Sequence, residues 1–396
     1  MTISALKFFR MFRSSMLLLG AVLLAACDQT AGFGAASTKS INAGETVKVA
    51  LLAPLGSGRS ELDFLGNSLV NAARLANNDL ASVDLDIKVY PTGGDAGRAA
   101  AAAQQAVAEG AQIFVGPLFS TAAAAVAPIA AQNGLSVLSF SNNTQVAGNN
   151  VYLLGVTFES LAERVVGHAV ANGQSNVAVI HSADPAGSAG LAAANRAISR
   201  FGANFVGAFP YELSPAGIST AAPTIARQVN AAGANAVVLT DDPGAGLVFL
   251  TPVLASAGLN SKSTKFLGLT KWNVPAEAAT TPSMQGGVFA AADPGIYSQF
   301  ESRYTSTYGT APHNLSGLAY DGIAAIGAMV SAARSTGGGA LTRAQITDPN
   351  GFAGVNGVFR LRNDGGNDRG LALMELRGGQ AVIIESAPRS FSVSGS

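Results

Sequence analysis

The sequence predicts an α/β protein made of two doubly wound lobes. Two observations predict it. Apolar, β-rich runs alternate with helical stretches along most of the 396 residues, and helix after helix stops at a glycine standing just before the next β-run. A third observation divides the chain in two: the strands number more than about eight, many for one open sheet, and two lobes are the economical solution.

The elements follow in order. Residues 47–53 (VKVALLA) read as a strand, 54–58 as a loop, 60–80 as a helix and 84–90 as the next strand. Residues 99–109 form a helix that ends at Gly110, and 112–115 a strand. The same grammar recurs where Gly134, Gly173, Gly202, Gly233 and Gly258 precede runs at 135–140, 176–180, 205–209, 236–240 and 266–269. Glycine takes the left-handed conformation that closes a helix without a Cβ clash. Ser160 and Glu163 have the spacing of a capping box for the helix ending at Gly173. Residues 322–333 read as a buried core helix rather than a membrane span, being short and flanked by Asp321 and Arg334. Residues 357–361 and 371–376 read as a hairpin around the turn 363–366, with a further strand at 380–385. Residues 389–396 read as a loose tail.

The leading residues read as an address. Lys7, Arg10 and Arg13 form a basic segment, 16–24 is a short apolar stretch, and Ala25-Ala26 precede Cys27, the sole cysteine. The segment resembles a bacterial lipobox. The resemblance implies cleavage after residue 26, lipid on Cys27 and a periplasmic protein anchored to the inner or outer membrane of a Gram-negative cell. Residues 27–46 are then the lipidated cysteine and a Gly/Ser/Thr/Ala-rich tether. Removing the leader leaves 21 Lys+Arg against 24 Asp+Glu, a net charge of −3.

Composition excludes several classes. Lys+Arg and Asp+Glu are both 24, which argues against a nucleic-acid partner. With 48% hydrophobic and 12% charged residues, disorder over most of the chain is excluded. One cysteine excludes an internal disulfide and cysteine-built zinc or iron–sulfur centres, and His168, His181 and His313 fit no metalloprotease spacing, so no metal is expected. No nucleophile elbow or phosphate-binding loop occurs. Gly56-Ser57-Gly58 fails the dinucleotide pattern because Glu61 stands at the third glycine, and Asp84 with Asp86 reads as a solvated strand start. No enzymatic activity and no cofactor are expected.

Residues 48–58 (KVALLAPLGSG), the helical Asn71-Ala72-Ala73-Arg74, 113–120 (IFVGPLFS) and 135–144 (LSVLSFSNNT) resemble the first lobe of type I periplasmic binding proteins, with the branched-chain amino-acid binding group as the nearest general likeness. The resemblance implies two Rossmann-like lobes joined by three crossings that close on a ligand: lobe 1 from 47–156 plus 287–337, lobe 2 from 157–286 plus 340–388. Residues 266–272 (FLGLTKW), 286–294, 300–322 and 351–376 are similar to penicillin-binding protein activator lipoproteins of the same fold.

The cleft should lie beyond the carboxyl ends of the strands. Ser57 lies in the first such loop. Ser120-Thr121 opens an alanine-rich helix, where free N–H groups suit an anion or the hydroxyls simply cap the helix. Ser139, Ser141 and Asn143 follow the next strand; the resemblance gives Ser120, Ser141 and Asn143 the role of holding a ligand carboxylate. Opposite, Asp184, Asp241 and Asp242 could meet an ammonium or cap turns. Thr270-Lys271-Trp272 follows another strand, with Trp272 a platform, a lid or core packing. Amino-acid binders present Tyr-Gly soon after an acid in the loop that here reads 182–187 (SADPAG). The missing tyrosine argues against amino-acid binding and favours the activator branch. Two functional expectations follow: an activator that engages a peptidoglycan synthase, or the substrate-binding component of an amino-acid or amide ABC transporter, whose partner is a permease and whose ligand is small and amino-acid-like.

Overall fold

The computed structural model describes residues 41–391 apart from 43 and 82. The expected leader, Cys27 and tether residues up to 40, and tail residues 392–396, lie outside the described residues. The described end of the tether is not loose: β1 (Ile41–Asn42) enters an antiparallel ribbon, and Ile41 is buried.

Lobe 1 begins with β2 (Val47–Ala53), α1 (Ser60–Asp79), β3 (Leu85–Pro91), α2 (Ala96–Ala108), β4 (Ile113–Val115), α3 (Ser120–Gln132), β5 (Val137–Ser139) and β6 (Val151–Leu153). Its five parallel strands run in the order β3-β2-β4-β5-β6. Nearly all of β2 is buried because both faces of the sheet are covered: Val49 and Leu51 pack on the α1 side, Ala50 and Leu52 on the α2–α3 side.

The chain then crosses to lobe 2 as α4 (Phe158–Ala171), β7 (Asn176–Ser182), α5 (Pro185–Arg200), β8 (Asn204–Tyr211), α6 (Pro215–Ala231), β9 (Ala236–Leu239), α7 (Val248–Ser256), β10 (Lys265–Gly268) and β11 (Val288–Ala291). It returns as α8 (Pro294–Tyr308), α9 (Gly317–Thr336), β12 (Gly339–Ala340, the partner of β1), the one-turn α10 (Arg343–Ile346), and a small antiparallel sheet of β13 (Phe352–Gly354), β14 (Gly357–Leu361) and β15 (Asn367–Arg369). A last crossing leads to β16 (Ala372–Arg377) and β17 (Gln380–Glu385). The lobe 2 sheet reads β17-β16-β11-β10-β9-β7-β8, parallel from β11 to β8 and antiparallel at β16 and β17.

The six helix-ending glycines expected from sequence all have positive φ, between 64° and 88°. Four details differ from expectation. Strand β11, an unbroken apolar run, pairs with β10 and β16, so residues 287–291 belong to lobe 2 and lobe 1 resumes at α8. Residues 340–361 pack into the lobe 1 core through Ile346, Phe352 and Phe359, so lobe 2 resumes only near Leu371. The hairpin partner of β14 is β15, not 371–376, because Arg369 is drawn into the hinge and the chain leaves for the other sheet directly after it. The cap of α4 is Thr157, whose hydroxyl accepts from the Ser160 N–H; Ser160 itself turns to the Asn367 carbonyl.

The crossings are tied together by buried polar groups. Arg369 and Asp321 (on α9) form a fully buried ion pair at 3.1 Å. Arg369 also donates to the Leu154 carbonyl and lies over the Phe359 ring. Asp321 accepts from the Val355 N–H (2.8 Å) and the Asn356 amide (3.0 Å). Asn367 donates to the carbonyls of Leu153 (2.7 Å) and Gly155 (2.8 Å). The first and third crossings are thus fastened to each other and to α9. Arg369→Met would leave the Asp321 carboxylate buried without its cation, and should cost about 3–5 kcal/mol in urea unfolding; a loss under about 1 kcal/mol would show the pair to be dispensable.

Candidate functional site

A cavity of about 460 Å³ lies between the lobes. From lobe 1 it takes the loops after β4, β5 and β6; from lobe 2, the loops after β10 and β11 and the residue just before antiparallel β16. All these meet at the carboxyl edge of the parallel strands, where open α/β sheets place ligands. Most of the wall is apolar, with Phe119, Phe140, Leu161, Leu315, Leu318 and Leu371 prominent, and the amides of Asn142, Asn143, Asn314 and Asn356 and the hydroxyls of Ser120, Ser141 and Thr270 interrupt it.

The expected residues separate into those that reach the cavity and those that do not. Ser120, Ser141, Asn143 and Thr270 line it. Ser120 is the first residue of α3, whose start has no side-chain cap. Ser141 is buried; its hydroxyl accepts from the Asn143 N–H (3.1 Å), and Asn143 in turn accepts from Gln145 N–H (3.0 Å), so both shape the loop they sit on. The Thr270 hydroxyl donates to the Asp241 carbonyl (2.9 Å).

Ser57, Thr121, Ser139, Asp184, Asp241, Asp242 and Trp272 are outside the lining. Ser57 donates through its N–H and hydroxyl to Asp63 (2.9 and 3.1 Å), fixing the turn into α1. Thr121 is exposed on the first turn of α3. Ser139 donates to the Pro117 carbonyl (2.9 Å) and accepts from Ser141 N–H, joining the β4 and β5 loops beneath the cavity. Asp184 caps α5 through Gly187 N–H (2.7 Å) and Asp242 caps the following turn through Gly244 N–H (2.8 Å). Trp272 is fully buried and stacked on Phe289, and its ring occupies the space where a Cβ at Gly268 or Gly287 would stand. It is core packing of lobe 2, not a platform or lid.

Asp241 is buried, with one carboxylate oxygen accepting from Ser182 (2.8 Å) and the other without a partner in the protein. Burial raises its pKa, outweighing the Ser182 hydrogen bond that lowers it.

Lys271, beside Thr270 and Trp272, is the sole charge in 266–272, and that isolation is its one signal in the sequence. It lines the cavity and is the only charged residue to do so among the described residues. The side chain is accessible because the cleft is open, yet protein on both sides strips water from the ammonium and pushes its pKa down. It makes no ion pair or hydrogen bond with the described residues. Asn356, Leu315, Leu318 and 290–292 were also missed; they become neighbours only through the return of the chain. No group of three or more His, Cys, Asp or Glu able to hold a metal occurs among the described residues.

Fold and site define a two-lobed α/β protein with an interlobe pocket. The family model described as periplasmic binding protein matches residues 46–381, and the chain belongs to that family. A search of curated proteins returns no match. Among solved structures, the chain is similar to a branched-chain amino acid ABC transporter protein of Rhodospirillum rubrum (TM-score 0.70, 18% identity, covering 86% of this chain and 100% of that one). It is also similar to an ABC transporter substrate-binding protein of Desulfitobacterium hafniense in complex with Leu (0.62, 16%, 86% and 100%). A third is an ABC transporter solute-binding protein of Rhodopseudomonas palustris with 3,4-dihydroxybenzoic acid (0.57, 19%, 87% and 98%). These likenesses establish the two-lobed type I fold, and the family is one of periplasmic proteins.

The environment of Asp241 generates a prediction. A raised folded-state pKa means the folded protein disfavours the ionised form; that penalty is complete above the folded pKa and absent below the unfolded value. Asp241→Asn keeps an acceptor for Ser182 and removes the charge. Its melting temperature should exceed that of the wild type at pH 7, with the gain vanishing by pH 3. A variant less stable at pH 7 would show that the carboxylate is needed as a charge.

Proposed function

We propose that this chain is the non-catalytic solute-binding component of an ABC importer, with the cavity between its lobes as the ligand site and a membrane permease as its partner. The observation that carries this reading is the cavity itself: open, largely apolar, furnished with a few convergent polar groups, and built from both lobes at their strand ends. Family membership and the transporter proteins sharing the fold support it. The peptidoglycan-synthase activator reading has less support. The C-terminal stretches similar to activators build β10, β11, α8, α9, the hinge strands and β16, which are parts of the fold and not of a separate surface. The lipobox-like segment supports attachment of the chain to a membrane through Cys27, facing the periplasm.

A thermal-shift screen with amino acids, amides, short peptides and small carboxylates tests the receptor reading. A true ligand at 100 times its Kd should add about 2.7 kcal/mol of stability; a flat response across the library would contradict it. For the anchor, Cys27→Ser should move the chain from the membrane to the soluble fraction, whereas retention would mean an uncleaved apolar anchor.

A further inference from the structure

We infer that the interlobe cavity takes an apolar monocarboxylate that carries no ammonium group, of which an arylalkanoate is the type. The inference rests on the receptor reading above and names its ligand class.

The argument is one of charge inventory. An α-amino acid brings a carboxylate and an ammonium into a largely apolar cavity, and each is best held there by a counter-charge or a set of hydrogen bonds. The cavity supplies one cation, Lys271, and no carboxylate. The acids on the elements around the cavity do not line it. Glu159 pairs with Arg196 and accepts from Thr144 (3.1 Å). Asp241 turns one oxygen to Ser182 and keeps the other buried outside the lining, and Asp293 caps α8 through Gly295 N–H (2.8 Å). Asp321 is neutralised by Arg369. An ammonium placed in this cavity would meet Lys271 and no opposing charge.

Lys271 itself lacks the partner that a partly desolvated cation needs. It has no ion pair, and loss of water lowers its pKa, so an anionic ligand would restore the interaction that burial removes. The rest of the wall suits a hydrocarbon body: Phe119 and Phe140 from lobe 1 and Leu161 and Leu371 from the lobe 2 side give it apolar surface. The loop 182–187 contributes nothing to the lining.

The test is calorimetric titration of the full chain, purified in mild detergent, with matched pairs: 3-phenylpropanoate against phenylalanine, and 4-methylpentanoate against leucine, with 3-phenylpropanamide as the neutral control. Each carboxylate should bind at least about tenfold more tightly than its amino acid. Lys271→Met, with Lys271→Gln as a second variant should the first fail to fold, should weaken 3-phenylpropanoate at least about tenfold without lowering the thermal melt. Equal or tighter binding of phenylalanine or leucine would overturn the ligand class while leaving the receptor reading intact. So would 3-phenylpropanamide binding as well as the acid, or a lysine variant that binds unchanged. Silence from all five compounds, in a chain that responds to another solute in the thermal screen, overturns this inference alone. Silence in both overturns the receptor reading beneath it.

Discussion

The Arg369–Asp321 pair is the interaction on which the rest of the arrangement depends. A buried ion pair is a weak source of stability, since desolvation offsets its Coulomb attraction, but breaking one leaves an uncompensated charge. Here its value is positional. Asp321 is fixed on α9, one of the two 20-residue helices of lobe 1, while Arg369 ends β15 two residues before lobe 2 resumes. The guanidinium also reaches the Leu154 carbonyl on the first crossing, and Asn367 reaches Leu153 and Gly155 beside it. Two chain crossings far apart in sequence are therefore held as one unit. Gly155 completes the contact: a Cβ there would lie 2.6 Å from the Ser141 carbonyl oxygen, so only glycine lets the crossing lie against the β5 loop.

The same frame accounts for the character of the cavity. Asn356 both lines the cavity and donates to Asp321, so the hinge and the cavity floor share a residue. The acids and hydroxyls of the strand-end loops have mostly been recruited to hold those loops: Ser139 to Pro117, Asp184 and Asp242 to helix starts, Asp241 to Ser182. What remains facing the ligand space is apolar surface, neutral amides, a few hydroxyls and one lysine. The selectivity proposed above is a consequence of this division of polar groups between frame and cavity.

The fold was legible because it depends on local signals. Helix-ending glycines and continuous apolar β-runs are set by backbone sterics and by burial on both faces of a parallel sheet, and both can be read residue by residue. What depended on long-range contacts was harder to read. Strand β11 looks like any short apolar run, and its place in lobe 2 follows from pairing with β10 and with β16, more than eighty residues later. The turn at 363–366 was legible as a turn, but its return strand stops at Arg369 because of an ion pair formed with Asp321. At the site, Ser120, Ser141, Asn143 and Thr270 were found through their place after strands. Asp184 and Asp241 occupy equivalent places, yet turn to caps and a hydroxyl, a choice that sequence position does not record. Trp272, the only tryptophan, is buried in the core, while the isolated charge beside it, Lys271, lines the cavity.

The central claim is that one solute is held by both lobes at once. Amide hydrogen exchange with and without saturating 3-phenylpropanoate tests it most directly. Protection should rise together at 118–120 and 141–143 in lobe 1 and at 270–271 in lobe 2, with the buried hinge strands already protected in the free chain. Protection confined to one lobe, or absent from all three segments, would contradict the account.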